Sequence, residues 1–305
     1  MQEIVGNTMI LKNSMERGWY ASRRKNAGLC ARIHALLLIP SLLIALVIAT
    51  CPAGLAQDAP SAMDEMRAGV VAYKFSDYPG AAEHFRAALE IDPKLTQARL
   101  FLATAIAQQY LAGDDTAANV AIAQQAIEQY KLVLSDDPSE LEEYKALVPL
   151  ASLSFNLKQF GEAREYYGKA IELKPEEARN YFHVALIDWT EAYNTRTKMR
   201  SELGLPESAM ISKPEACVSL RAQNQQKVED GIQRLEKALK LQPDDGDAMG
   251  YMNLLYRERA EYECDDPEAR KADLKAADEW TDKAIAATKS KNEGTAPEKP
   301  APKQP

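Results

Sequence analysis

The sequence predicts an all-α protein, built as a solenoid of about five helix-turn-helix repeats. A composition with few glycines fits this class, but the main evidence is a recurring pattern of small, bulky and proline residues. In YPGAAEHFRAALEIDP, residues 78–93, Ala81, Phe85 and Ala88 are spaced to lie on one face of a helix. Pro93 is expected to end that helix, because proline disfavours helical geometry in the residue before it.

The same pattern recurs in three later stretches of the chain. The residues at the small, bulky, next small or apolar, and proline positions are Ala126, Tyr130, Val133 and Pro138 in the second copy, Ala163, Tyr167, Ala170 and Pro175 in the third, and Gly231, Leu235, Ala238 and Pro243 in the fourth. A fifth copy is expected near the end, with Ala276 and Trp280 at the small and aromatic positions and no closing proline. Repeats of this size bury a continuous core by stacking, so they predict one elongated solenoid.

These repeats resemble the tetratricopeptide family, whose 34-residue motif the first copy matches best through Gly69, Ala81, Phe85, Ala88 and Pro93. The resemblance implies a right-handed superhelix of paired helices over residues 62–288. We expect the repeats at 62–95, 96–140, 144–177, 178–245 and 246–288.

In this family the first helix of each repeat lines a concave groove that holds a partner. Carried over position by position, the resemblance implies these groove residues: Tyr73, Lys74, Gln97, Gln108, Lys145, Phe155, Asn156, Arg179, Phe182, Trp189, Thr190, Arg257 and Glu258. The alternative for Phe155, Phe182 and Trp189 is a place in the core. The Lys and Asn clamp of chaperone-binding members is not expected, because Met66 and Val70 stand at its positions.

The closing prolines are 45, 37 and 68 residues apart, so the chain carries insertions relative to the family period. The first insertion, at 111–121, is expected to be a loop with an extra helical turn. The larger one extends repeat four into a long hairpin, with a first helix ending at Gly204 and a second from about 213 to 241, capped by Ser212 and Glu215. The linking segment 195–213 is locally basic, either as a solvated face or as a lid that contacts a partner, and its cations are Arg196, Lys198, Arg200 and Lys213.

The N-terminus predicts export. Basic residues precede the apolar run 35–50, and small residues follow at the spacing of a signal-peptide cleavage site after Ala56. The alternative is an uncleaved membrane anchor, and both interpretations place the repeats outside the cytoplasm. The net charge is −8 for the chain and +4 for residues 1–56, which leaves −12 for the remainder. An acidic solenoid is a poor match for nucleic acid.

Two cysteines, Cys217 and Cys264, remain if Cys30 and Cys51 are removed with the signal. In an oxidising compartment such a pair predicts a disulfide, with two free thiols as the alternative. Residues 289–305 hold four prolines and little apolar bulk, which predicts a disordered tail.

Residue patterns that support catalysis are missing from the sequence. Cysteines and histidines do not cluster at metal-ligand spacing, and neither a glycine-rich phosphate loop nor a nucleophile elbow occurs. We therefore expect a non-enzymatic scaffold that binds a protein partner, without cofactor or metal. One alternative is a structural component of a cell-envelope complex. Another is a small-molecule or glycan-binding protein, which would need a pocket under Trp189 with buried acids.

Overall fold

The fold is described by a computed structural model for residues 60–206 and 209–294, which form ten helices and no strand. The helices are α1 Ala62–Lys74, α2 Tyr78–Ile91, α3 Thr96–Ala107, α4 Ala117–Ser135, α5 Glu140–Asn156, α6 Phe160–Leu173, α7 Ala178–Glu202, α8 Pro214–Leu241, α9 Gly246–Tyr262 and α10 Pro267–Gly294.

Consecutive helices form five pairs, one for each predicted repeat. Each helix packs against the next along the chain, and first helices of neighbouring repeats also touch, α3 against α5 and α7 against α9. The predicted all-α repeat architecture is thereby confirmed. The third pair begins at Glu140, four residues before the predicted start of that repeat.

The signature residues occupy the helix contacts that the pattern predicts. The buried members are Gly69, Ala81, Phe85, Ala88, Ala126, Tyr130, Ala163, Tyr167, Ala170, Leu235 and Ala238, while Pro93, Pro138, Pro175 and Pro243 lie in the turns after α2, α4, α6 and α8. At Gly69 the absence of a side chain is required, because a Cβ atom there would lie 2.6 Å from the Phe85 ring. Glycine thus sets how closely α1 approaches α2.

Repeat five differs from the prediction by one residue. The fully buried small residue of α10 is Ala277 rather than Ala276, and Trp280 is only partly buried. Four residues before Ala277, Asp273 is buried by its ion pair with Arg259. Asp273 and Ala277 lie one turn apart, so the buried face of α10 falls one position later than the apolar pattern suggests.

Repeat four forms the predicted long hairpin. Gly204 follows the end of α7 with φ at +66°, in the left-handed region that favours glycine. The predicted cap of α8 is wrong, because Lys213 precedes the helix and no side chain caps it, so Ser212 and Glu215 form no capping box. Ile211, in the linking segment, is fully buried.

The predicted basic segment 195–213 covers the end of α7 and the turn before α8, and two of its four cations are largely buried. The Arg196 and Arg200 side chains are largely buried, and each forms an ion pair with an acid of α9, Glu258 and Glu261 respectively. Two of the four cations of the predicted lid, Arg196 and Arg200, therefore form ion pairs within the solenoid.

The insertion in repeat two is an ordered loop before α4. Asn119 is buried, and its side-chain oxygen accepts a hydrogen bond from the Leu111 amide at 2.9 Å. Its amide nitrogen donates to the carbonyls of Leu111 and Asp114 at 2.8 and 2.7 Å. One side chain thus satisfies three backbone groups of the loop, which fixes its conformation.

The predicted C-terminal tail begins later than expected, and the N-terminal prediction lies outside the described residues. The tail was expected to begin at 289, but α10 continues to Gly294, because helix-compatible residues precede the first proline at 297. Residues 1–59, with the predicted signal or anchor, lie outside the described residues, as do residues 295–305. Within the described ranges, no helix has the length and apolar character needed to span a membrane.

Three groups of buried side chains form the core. The first runs from Met66 to Leu153 and joins the first three repeats. The second runs from Ala178 to Tyr262 and joins the last two. A small third group, which includes Tyr167 and Ile187, connects α5 and α6 to α7.

Candidate partner-binding cavity

The first helices of repeats one, two and three enclose an open cavity of about 600 Å³. Its lining comes mainly from α1, α3 and α5: Val70, Tyr73, Lys74, Phe85, Leu100, Phe101, Thr104, Ala107, Gln108, Tyr130, Lys145 and Pro149. The volume is in the range of clefts that hold small ligands or single anchoring side chains of a partner.

The floor of the cavity is apolar and rigid. The rings of Phe85 and Phe101 lie 5.6 Å apart at a tilt, and Phe85 is fully buried between α1 and α2. Tyr130 reaches the floor from α4, and its hydroxyl donates to Thr104 Oγ1 at 3.2 Å. Burial raises the pKa of Tyr130 to about 12, although the Thr104 hydrogen bond opposes the shift, so the phenol stays neutral. Aromatic floors of this kind suit apolar side chains.

Pro149 interrupts the hydrogen bonding of α5 beside the cavity. It lies inside the helix, where proline has no N–H to donate to the carbonyl four residues earlier, which belongs to Lys145. Both residues line the cavity.

Two lysines stand at the rim. Lys74, at the end of α1, and Lys145, on α5, are both exposed. Neither forms an ion pair with any residue in the described ranges. The rim is therefore a positive site on an acidic protein, and it favours a ligand that carries negative charge beside its apolar groups.

Four of the thirteen predicted groove residues line this cavity, namely Tyr73, Lys74, Gln108 and Lys145. Sequence analysis missed Phe101 and Pro149, which the family positions do not include. The signal for Pro149 was present, since a proline within the apolar run ALVPLAS implies an unpaired carbonyl one turn earlier.

Two predicted groove aromatics, Phe182 and Trp189, lie in repeat four, on the side of α7 that packs against α9. Trp189 stacks on Tyr193 with ring centroids 5.3 Å apart, and Tyr251 meets its edge at 5.3 Å. Tyr251 also meets Phe182 at 5.4 Å. The space beside Trp189 that a small-molecule site would need is thus occupied by tyrosine rings.

Phe182 and Glu258 do not have the exposed side chains expected of groove residues. Phe182 belongs to the second core group, and only 5% of its surface is exposed. Glu258 is 3% exposed and accepts two hydrogen bonds from Arg196, at 2.8 and 2.7 Å. Burial raises the pKa of the Glu258 carboxyl, and Arg196 opposes that shift. Both side chains therefore make contacts inside the solenoid and do not face an open groove.

The remaining predicted groove residues are separated from the cavity. Phe155 packs on Phe160 with ring centroids 5.6 Å apart, and Asn156 lies beside a shallow pocket near the repeat-two loop. Arg179 lines a polar cleft of about 830 Å³ near the end of α10, and Arg257 donates to Asp278 at 2.8 Å.

Cys217 and Cys264 meet in this C-terminal region. Their sulfur atoms lie within disulfide distance and their Cα atoms are 6.2 Å apart, across 47 residues of sequence. The pair joins the start of α8 to the turn after α9. Nearby, Arg221 donates to the Tyr262 carbonyl at 2.8 Å, so the same turn is held by a cation as well.

The described part of the chain shows little that could carry out chemistry. No group of three or more His, Cys, Asp and Glu side chains there is arranged to hold a metal ion. His183 stacks on Tyr167 at 5.0 Å, and burial lowers its pKa to about 4, so it is neutral at physiological pH.

Comparison with known proteins agrees with this architecture. Residues 144–177 match the sequence model of the tetratricopeptide repeat. A crystal structure of MamA is 16% identical, with 78% of this chain and 98% of that chain aligned at a TM-score of 0.51. MamA from Desulfovibrio magneticus RS-1 is 15% identical, with 76% and 97% aligned at a TM-score of 0.50. A comparison with curated proteins found no significant match.

At this level of identity the solved structures indicate the fold alone, and the sequence match covers one repeat. That repeat is α5 with α6, the central one of the five helix pairs. The chain therefore contains a tetratricopeptide repeat at residues 144–177, within a solenoid that has the tetratricopeptide-like fold.

Proposed function

We propose that this protein is a non-enzymatic scaffold that holds a segment of a partner protein in the cavity between α1, α3 and α5. The segment is an extended chain or a helix that carries apolar side chains next to acidic groups. One observation carries the proposal: an open apolar cavity of about 600 Å³ has two lysines without ion pairs at its rim.

The chemistry of the cavity matches each part of such a segment. An apolar anchor would pack on Phe85 and Phe101, which form the aromatic floor. A backbone or side-chain donor of the segment would bind the Lys145 carbonyl, which receives no N–H from Pro149. Lys74 and Lys145 would pair with carboxylates at the edge, where charge guides association and orientation.

The location that we propose is outside the cytoplasm. Its support is the sequence pattern before residue 57, a basic stretch followed by an apolar run of 16 residues and a small-residue cleavage site. The mass of the protein recovered from the producing cell tests this point. A chain that begins at Gln57 would be a free exported protein, and one that retains residues 35–50 would be anchored.

Site-specific crosslinking tests the cavity. A photoreactive amino acid replaces Gln108 at the rim, and in a matched control it replaces Gln124, an exposed glutamine on α4 away from the cavity. The Gln108 position should capture one recurrent protein that the Gln124 position does not. Equal capture at both positions, or none at Gln108, would contradict the proposal.

The captured protein is then purified and titrated against charge variants. Lys145→Glu should weaken binding about tenfold, since a loss of about 1.4 kcal/mol corresponds to that factor. Lys271→Glu makes the same change on an exposed lysine of α10 and should leave affinity within about twofold. Equal losses in both variants would indicate a general effect of net charge rather than binding at the cavity.

A further inference from the structure

Repeats three and four meet at a small junction, where α6 packs against α7. Its apolar part is the third core group, the smallest of the three in the described ranges. Tyr167 of α6 belongs to this group, and the ring of His183 on α7 stacks on it, with centroids 5.0 Å apart and 12° between the ring planes. A titratable side chain is therefore part of the contact between the first three repeats and the last two.

The surroundings of His183 do not favour a positive charge on its ring. Tyr167 covers one face of the ring, and Phe182 meets it edge-on at 5.4 Å. Arg179, one turn earlier on α7, brings a charge of the same sign, although Asp247 of α9 lies 3.7 Å from it. Burial, with a smaller contribution from Arg179, lowers the pKa of His183 to about 4. The ring is therefore neutral at pH 7, and placing a proton on it within the junction costs free energy.

His84 is the second histidine in the described part of the chain, and its surroundings are the opposite. It lies on α2 with 43% of its side chain exposed, and its Nδ1 is 2.7 Å from a carboxylate oxygen of Glu65 on α1. A protonated His84 ring therefore has both water and a counter-ion, whereas His183 has no carboxylate partner among the described residues. Of these two histidines, only His183 links protonation to the packing of one repeat on the next.

Other charged and titratable groups face the junction from the helices packed around it. Arg164 of α6 donates to Asp188 and Glu191 of α7, at 2.7 and 2.8 Å. Arg234 of α8 donates to the second carboxylate oxygen of Asp188 at 2.8 Å, and Tyr144 of α5 accepts a hydrogen bond from α7 at 3.2 Å. Burial raises the pKa of the Asp188 carboxyl, and its two arginines oppose the shift. A carboxyl whose pKa is raised by folding stabilises the folded protein as the pH falls, so Asp188 does not open the junction.

We propose that the contact between α6 and α7 is an acid-sensitive joint, which loosens when His183 is protonated and lets the first three repeats move relative to the last two. The charged ring is more stable in water than against Tyr167 and Phe182, so it leaves the stack. A histidine whose pKa is lowered by folding contributes stability at neutral pH, and that stability is lost as the pH falls from the ordinary value of 6.5 toward the folded value of about 4. Opening of the joint should rise up to about 300-fold over this range, at about tenfold per pH unit.

The first test is the titration of the His183 ring by NMR in the intact protein. Its signals are assigned through their contacts with the Tyr167 ring, so no change in sequence is needed. The His183 ring should take up its proton at its pKa of about 4, and the signals of α6 and α7 should change over the same range. A pKa near 6.5, the ordinary value for histidine, would overturn the proposal, because the ring would then gain a proton at no cost to the fold.

The second test is hydrogen exchange at about pH 7 and about pH 4.5, corrected for the intrinsic effect of pH on exchange. The wild-type protein should lose protection in α6 and α7 as the pH falls. His183→Phe keeps an aromatic ring on Tyr167 but takes up no proton, so its loss should be about 50-fold smaller. His84→Gln is the matched control and should lose as much protection in α6 and α7 as the wild type.

Two results of the exchange test would also overturn the proposal. One is an equal loss of protection in the wild type and in His183→Phe, and the other is a wild-type loss that is the same in all helices. If His183→Phe does not fold, the ring titration of the wild-type protein decides the question by itself. Neither test changes a residue of the cavity, so the outcome is independent of the proposed partner binding.

Discussion

The first three repeats and the last two are built from the same kind of helix pair, but they differ in the space between their first helices. In the first three, small and apolar residues on α1, α3 and α5 leave an open cavity between helices. In the last two, the corresponding space between α7 and α9 is filled by Trp189, Tyr193 and Tyr251. The repeat pattern therefore sets the backbone arrangement. The side chains on the first helices determine whether the space between those helices stays open or is filled.

The two regions also differ in whether their ion pairs are buried or exposed. In the last two repeats, buried carboxylates bind arginines of other helices: Asp188 accepts from Arg164 and Arg234 at 2.7 and 2.8 Å, and Glu258 pairs with Arg196. In the first three repeats, an exposed pair such as Lys131 and Glu162 lies in solvent. Buried pairs cost much when broken and exposed pairs cost little, so the two regions should respond differently to the same kind of change.

The largest expected effect is the loss of Arg196. Arg196→Ala leaves the Glu258 carboxylate buried without its partner, which should lower the free energy of unfolding by about 3–5 kcal/mol. Lys131→Ala, in the exposed pair, should lower it by less than about 1 kcal/mol. Urea unfolding, with hydrogen exchange to locate the loss, measures both.

A double variant separates the missing charge from the missing contact. Arg196→Met with Glu258→Leu removes both charges and keeps the apolar volume, so it should recover most of the stability. If Arg196→Ala and Lys131→Ala cost the same, the proposed contrast between the two regions would not stand.

The next effect concerns Cys217 and Cys264. Their bond would close a loop across 47 residues, worth up to about 4 kcal/mol on the chain-entropy model. For protein folded in an oxidising compartment, reduction should therefore raise hydrogen exchange in α8 and α9 and leave α1 to α5 unchanged. Cys217→Ser with Cys264→Ser should show no response to reductant. Uniform acceleration over all helices would mean that the bond stabilises the whole stack rather than one region.

The sequence was sufficient to predict the repeats, because their signal is local. Small and bulky residues four and three apart, followed by proline, predicted four helix pairs, and a partial copy without the proline predicted the fifth. The extended hairpin followed from the spacing of the prolines. Repeat five was placed one residue off, because its buried face depends on the Arg259–Asp273 ion pair. That pair joins two helices, and no pattern within one helix reveals it.

The candidate site was predicted less well than the fold. Family positions found Tyr73, Lys74 and Gln108, but they gave no way to tell open positions from closed ones in later repeats. Whether Phe182 is exposed depends on Tyr251, which lies one repeat further along the chain. Likewise Glu258 is buried because the insertion in repeat four brings Arg196 to it. Contacts between neighbouring repeats therefore determine which of the predicted groove positions are exposed.

The smallest expected effect tests the shape of the open cavity. Gly69→Ala adds a Cβ atom that would lie 2.6 Å from the Phe85 ring, so the ring must move. We expect a loss of about 1–3 kcal/mol in stability from overpacking, and weaker partner binding because Phe85 forms the cavity floor. Urea unfolding and partner titration measure the two effects.

Gly168→Ala provides the matched control for that change. Gly168 lies inside α6, and a Cβ atom there meets nothing within 4 Å. The same substitution should therefore stabilise the protein by up to about 1 kcal/mol, through helix propensity alone, and leave binding unchanged. Opposite signs for the two variants would show that close helix approach shapes the open cavity. If Gly69→Ala stabilises the protein, the Phe85 ring can shift to make room for the methyl group, and the floor of the cavity is not rigid.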